Sequence, residues 1–167
     1  VVLFFRQYIH LYEGALAHRI DSLMKIRLQS ANSLLKAEFP FNLDNEKATY
    51  DWGWVVCREA INSDCYEVYA QYWADLTDSN GSYGVSVMND SKYGWDKPDN
   101  NTLRLTLLHT PKTKEHYAYQ NCQDFGYHTF TYSLIGHAGA LDVVQIREDG
   151  VAKSAYQAFA TESIVVN

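Results

Sequence analysis

Cysteine is scarce, with Cys57, Cys65 and Cys122 the only three in 167 residues. Their spacing fits neither a disulfide framework nor a zinc site built from paired short intervals. They read as free, partly buried thiols, and a Cys57 to Cys65 bridge stays open because spacing alone cannot set two strand ends face to face. Basic residues are also in deficit: 14 Lys and Arg stand against 20 Asp and Glu, a net charge of −6, with no dense basic run. That balance argues against nucleic acid as a partner, since phosphate binding needs clustered cations. No apolar stretch approaches the roughly 18 to 20 residues that a membrane-spanning helix requires, and Arg6 and Gln7 stop the opening Val1-Val2-Leu3-Phe4-Phe5 at once. A membrane partner is not expected. The start lacks an initiating Met, a basic region and a small-residue cleavage site, so it does not read as a signal peptide. With Ile164-Val165-Val166 at the other end, it reads as a piece of a longer polypeptide. No internal repeat, low-complexity tract or linker divides it.

What is present is strand chemistry. The chain is 47% hydrophobic and 14% aromatic, with 13 Tyr, 7 Phe and 4 Trp. Such bulky and branched side chains fit a pleated surface, and the composition is that of a folded domain able to bury about 70% of its unfolded surface. Alternation with period two puts Leu3, Phe5, Ile9 and Leu11 on one side of a first strand, and Ile20, Ser22, Met24, Ile26 and Leu28 on one side of a second. Leu35, Ala37 and Phe39 repeat the pattern until Pro40. Further strands are expected over 47–56, 65–73, 83–89, 102–109 and 126–135. In 102–109, Leu103, Leu105 and Leu107 share a face opposite Arg104 and Thr106, as in an antiparallel sheet with one wet side. Turn chemistry at Glu13-Gly14, Ser79-Asn80-Gly81, Lys97-Pro98-Asp99-Asn100 and His137-Ala138-Gly139 separates the segments. About eight antiparallel strands at this spacing predict an all-β sandwich. Ala152, Ala155, Tyr156 and Phe159, following Asp149-Gly150, predict one helix near the C-terminus.

Few residues assemble into recognisable chemistry. His109, His116, His128 and His137 are spaced for no zinc pattern, so no metal site is expected in this chain. The nearest approach to a nucleophile elbow, Gly81-Ser82-Tyr83-Gly84, is spaced as a loop. Asp75, Asp78, Asp90, Asp96 and Asp124 offer carboxylates for glycosidase chemistry, but nothing in the sequence sets two of them across a cleft. The segment from Asn89 to Trp95 is richer: a strand runs into a loop holding Asp90, Lys92, Tyr93 and Trp95. Sugars are bound by such a mixture, their C–H faces lying on rings and their hydroxyls bonding to charged groups. The competing reading is a loop packed by its own aromatics, with Asp90 capping a turn.

Ordered motifs then point to a family. They run from Leu11-Tyr12-Glu13-Gly14 with Arg19-Ile20-Asp21, through Ser33-Leu34-Leu35-Lys36-Ala37-Glu38-Phe39-Pro40, Ala48-Thr49-Tyr50 and Tyr72-Trp73-Ala74-Asp75-Leu76-Thr77. They continue with Tyr83-Gly84-Val85-Ser86-Val87-Met88-Asn89-Asp90-Ser91-Lys92-Tyr93-Gly94 and Leu103-Arg104-Leu105-Thr106-Leu107-Leu108. They end with His128-Thr129-Phe130-Thr131-Tyr132-Ser133-Leu134 and His137-Ala138-Gly139. Together they resemble the C-terminal region of family 38 glycoside hydrolases, the class II α-mannosidases, and in particular their cytosolic and vacuolar branch. The resemblance implies that residues 1–167 form a single β-sandwich domain, of the glycosidase supersandwich type, within a longer multidomain enzyme.

In that family zinc, an aspartate nucleophile and an acid/base carboxyl belong to an N-terminal catalytic domain. The whole enzyme would release terminal α-linked mannose from glycans with retention, while this chain would carry no catalytic residue. The resemblance further implies that a residue at the end of the 102–109 strand can touch sugar. Other branches carry Arg there, in Leu-Leu-Arg-x-Pro, and this chain has His109 in Leu108-His109-Thr110-Pro111. Ser91 stands where close relatives often have Cys, and Asp124-Phe125-Gly126 stands near the family's Asp-x-Gly.

Two functions follow as expectations. The first is a non-catalytic domain that supports the enzyme and lends one edge of the sugar site, with His109, Asp90, Lys92, Tyr93 and Trp95 as candidate substrate-binding residues. The second is a free-standing carbohydrate-binding module using the Tyr93 and Trp95 loop. On the first reading the chain exposes apolar surface that docks the catalytic domain or self-associates.

Overall fold

A computed structural model describes residues 2–11, 19–53, 57–61, 66–120 and 123–139. Among these residues the expected alternation appears as eleven antiparallel strands in two sheets. They are β1 (Val2–Leu11), β2 (Arg19–Gln29), β3 (Ser33–Pro40), β4 (Ala48–Asp51), β5 (Cys57–Ala60), β6 (Val68–Tyr69), β7 (Trp73–Thr77), β8 (Tyr83–Asn89), β9 (Gly94–Asp99), β10 (Thr102–Thr110) and β11 (Gly126–Ala138). The large sheet has the order β1-β2-β11-β8-β7-β4-β5, and the small sheet β3-β10-β9-β6. A 3-10 turn at Glu115–Gln120 precedes β11. The predicted helix around 152–159 lies outside the described residues. Among those that are described, no helix is long and apolar enough to cross a membrane.

The core forms where the inward rows of the two sheets meet. Met24, Ile26 and Leu28 of β2, Leu76, Val87, Phe130 and Tyr132 from the large sheet face Ala37, Phe39, Trp95, Leu103, Leu105 and Leu107 from the small one. Phe39 meets Tyr132 edge to face, with ring centroids 5.2 Å apart. The opposite side of the large sheet is also buried along its centre, at Trp73, Met88 and Ile135.

Two expected strands divide differently. The 65–73 segment yields only the short β6, and bends at Gln71 and Tyr72 start a separate strand, β7, that joins the other sheet. Asp51 holds that crossing: its carboxylate accepts the Gly53 and Tyr72 amides at 2.9 and 3.3 Å, and its carbonyl accepts Gln71 N–H. The second difference is β9. Lys97-Pro98-Asp99-Asn100 reads as a turn, but Gly94–Asp99 is a strand and the turn falls on Asn100 and Asn101. Pro98 is tolerated because β6 pairs with β9 only at Trp95 and Gly94, so the proline lies where that edge is unpaired.

Candidate functional site

Strand β10 organises the outer face of the small sheet. Leu103, Leu105 and Leu107 point inward and Arg104 and Thr106 outward, as their alternation requires. Strict continuation would put His109 inside. A β-bulge between Thr106 and Leu108 intervenes, so that Leu107 and Leu108 are both buried and His109 emerges beside Arg104 and Thr106. Thr110, next in line, is buried and fixes the strand end. Its hydroxyl donates to the Ser30 carbonyl at 2.7 Å and accepts the Ser33 amide at 3.0 Å, clasping the β2–β3 turn in which Asn32 takes a φ of 54°.

His109 lines an open concavity of about 570 Å³ with Leu34, Lys36, Tyr66, Asp96 and Arg104. Asp96, almost wholly buried, is its electrostatic centre: Arg104 Nε donates to it at 2.5 Å and the Lys36 ammonium pairs with its other oxygen. Lys36 also donates to Glu67 at 2.7 Å, and Thr106 donates to the same carboxylate. Burial raises the Glu67 pKa, but the bonds from Lys36 and Thr106 outweigh it and hold the group below the ordinary carboxylate value. The bond to Asp96 holds the Arg104 guanidinium even more firmly protonated than usual. Lys36 and Arg104 offset Asp96 and Glu67, and Glu38 adds a third carboxylate to the lining, which leaves an imidazole, a phenol and carboxylate lone pairs to meet a hydroxyl-rich ligand.

The other residues flagged by sequence scatter. Asn89 makes the turn after β8, its Oδ1 accepting the Ser91 and Lys92 amides at 3.1 and 2.5 Å. The turn sends Asp90 and Lys92 to β11: Asp90 accepts the Thr131 hydroxyl at 3.0 Å, and the Lys92 ammonium lies 4.8 Å from the centre of the Phe130 ring. Tyr93 is half exposed and stacks on Tyr69 at 6.0 Å. Trp95 is a correction. Expected on the loop as a stacking surface, it is 0% exposed in the core, because β9 turns it inward opposite Leu105. Lys36, Glu67 and Arg104 are site residues that the sequence reading does not single out, although outward phase on their strands marks Lys36 and Arg104. Asp96 is among the candidate carboxylates of the sequence, but nothing there pairs it with these cations.

A second polar cluster lies between β7, β8 and β11. Asp75 accepts Ser86 Oγ and Thr77 Oγ1, both at 2.7 Å, and pairs with His137 Nε2 at 2.9 Å. Asp75 stands in the middle and His137 bonds to it rather than to Ser86, which is not the order of a Ser-His-Asp triad, where the imidazole lies between hydroxyl and acid. The three bonds converging on one carboxylate tie β7, β8 and β11 together. Among the described residues, no group of three or more His, Cys, Asp or Glu could hold a metal ion. The zinc that the family resemblance implies has no fitting ligands there, and no chemistry of these residues passes through it.

Comparison with known proteins decides the family. The model of the glycosyl hydrolases family 38 C-terminal domain matches residues 3–117. The chain belongs to that family. Over 138 residues this family 38 domain is 31% identical to mouse Alpha-mannosidase 2C1, covering 79% of the chain and 12% of the relative. Over 126 residues it is 33% identical to Saccharomyces cerevisiae Alpha-mannosidase, covering 71% of the chain and 11% of the relative. The chain thus spans about an eighth of the length of these relatives. The crystal structure of an alpha-mannosidase from Enterococcus faecalis V583 shares the fold, with a TM-score of 0.72 at 17% identity over 91% of this chain and 18% of that one.

Proposed function

We propose that residues 1–167 are the non-catalytic C-terminal β-sandwich of a longer α-mannosidase that hydrolyses terminal α-linked mannose from glycans, and that the domain braces the enzyme and lends one edge of the sugar site. The relatives that carry this domain are named α-mannosidases, which supports the parent activity. The observation that carries the sugar-edge role is the bulge that turns His109 out of the core and into the polar concavity. An imidazole there can donate to or accept from a sugar hydroxyl. Zinc, nucleophile and acid/base belong to the remainder of the polypeptide, and the partners of this domain are that remainder and the mannose-containing oligosaccharide, not nucleic acid or membrane.

The reading is tested in the complete enzyme. His109→Ala is expected to raise KM for a mannoside about 5- to 20-fold with kcat within about 2-fold, the loss of one hydrogen bond made equally in ground and transition states. An unchanged KM overturns the edge role. The isolated chain supplied with zinc is expected to show no turnover. Saturable mannose binding by the isolated chain that Tyr93→Ala abolishes would favour the free-standing binding module instead.

A further inference from the structure

The two sheets differ in width, and at the β1 end the large sheet overhangs the small one. The uncovered ground is the inner, apolar side of β1 and β2: Ile9 is 63% exposed, Leu11 68% and Ile20 37%. Together with Met24, Leu134 and Phe39 they line a groove of about 590 Å³. On its floor Gln7 Nε2 donates to Ser22 Oγ at 2.8 Å and to the Tyr132 hydroxyl at 3.0 Å, and the one charged group of the lining, the exposed Glu38, stands on the β3 wall. The rest of the floor asks for apolar side chains. The wall of the groove is β3, which pairs with β10 on one side and, among the described residues, with no strand on the other. A bare strand edge offers backbone donors and acceptors at regular intervals, and satisfying both edge and floor takes an extended segment with apolar residues at alternate positions.

We propose that this groove seats a fifth strand of the small sheet, added to the free edge of β3 and supplied in cis by the longer α-mannosidase polypeptide. The inference rests on the functional proposal above. Two observations support this occupant: the matched part of the chain makes up only 12% of the mouse relative, and the stretch of β1 from Gln7 to Leu11 has room for a strand of about five residues. Its inward side chains would land on Ile9, Leu11 and Ile20, and its backbone would complete β3.

The test compares the isolated chain with the complete polypeptide, each with Cys57, Cys65 and Cys122 replaced by Ser and a single probe thiol at Leu11→Cys or, separately, Ile9→Cys. Both positions are exposed, so neither substitution disturbs the core. The expected result is rapid maleimide labelling in the isolated chain and labelling at least about 50-fold slower in the complete polypeptide. Hydrogen exchange at the β3 amides that face away from β10 should slow in parallel. Equal labelling in the two contexts overturns the proposal, as does thiol protection without slowed exchange on β3, which would mean a cover that is not a strand. Protection that appears in the isolated chain as its concentration rises assigns the groove to a second copy and also overturns it. A complete polypeptide that protects both probes but hydrolyses no mannoside leaves the strand in place and removes the mannosidase reading alone.

Discussion

At the residue scale, His137 carries the clearest electrostatic consequence. Its Nε2 meets the Asp75 carboxylate and its Nδ1 meets the Gly139 carbonyl at 3.2 Å, so both ring nitrogens face acceptors and only the imidazolium satisfies both. Burial lowers its pKa, but the bond and charge of Asp75 and the Gly139 carbonyl outweigh burial and hold it above the ordinary 6.5. A raised folded-state pKa contributes stability that is complete below the unfolded histidine value and is lost as pH rises through the folded one. Urea denaturation is therefore expected to show the domain less stable at pH 9 than at pH 6. Asp75→Asn should flatten that difference and lower stability at pH 6 by about 3–5 kcal/mol, the scale for breaking a buried ion pair. A wild-type curve without pH dependence from pH 6 to 9 would refute the assignment. Gly84 belongs to the same arrangement, because a Cβ there would lie 2.5 Å from the His137 ring.

At the element scale, the legibility of the chain follows its periodicity. β2, β3 and the first half of β10 alternate cleanly and were readable, since an apolar row at every second residue has one buried face to occupy. β9 was not. Its Asp96, Lys97 and Pro98 are turn-type or charged residues, and the strand holds only because Asp96 finds two cations and the Lys97 ammonium donates to the Asp99 carbonyl at 2.5 Å. Burial pulls the Lys97 pKa below its usual value in spite of nearby acids. Such pairing is tertiary, and no local pattern announces it. The bulge in β10 was equally silent, so His109 was flagged by resemblance while its outward position came from the structure. Placing Trp95 in the core separates it from Tyr93 in a measurable way. Trp95→Ala is expected to cost about 3–5 kcal/mol in chemical denaturation and Tyr93→Ala less than about 1 kcal/mol. Similar values for the two would return Trp95 to the surface.

At the scale of the whole molecule, the unequal sheets divide apolar residues into those that hold this chain together and those that do not. Leu105→Ala, fully buried between the sheets, should cost about 2–5 kcal/mol, whereas Ile9→Thr with Leu11→Thr on the overhang should cost the isolated chain under about 1 kcal/mol. Thermal melts of the two variants check this, and an equal loss would mean the overhang is covered within the chain. The ions around Asp96 act on the same scale. Lys36, Arg104 and Asp96 belong to β3, β10 and β9, and Lys36 reaches across the middle strand. Sliding β9 along β10 by two residues, the smallest shift that keeps side chains on their own faces, would carry Asp96 about 6.6 Å away. Arg104 would lose its carboxylate and Lys36 one of its two in one movement, so a single carboxylate helps set the phase in which three neighbouring strands assemble.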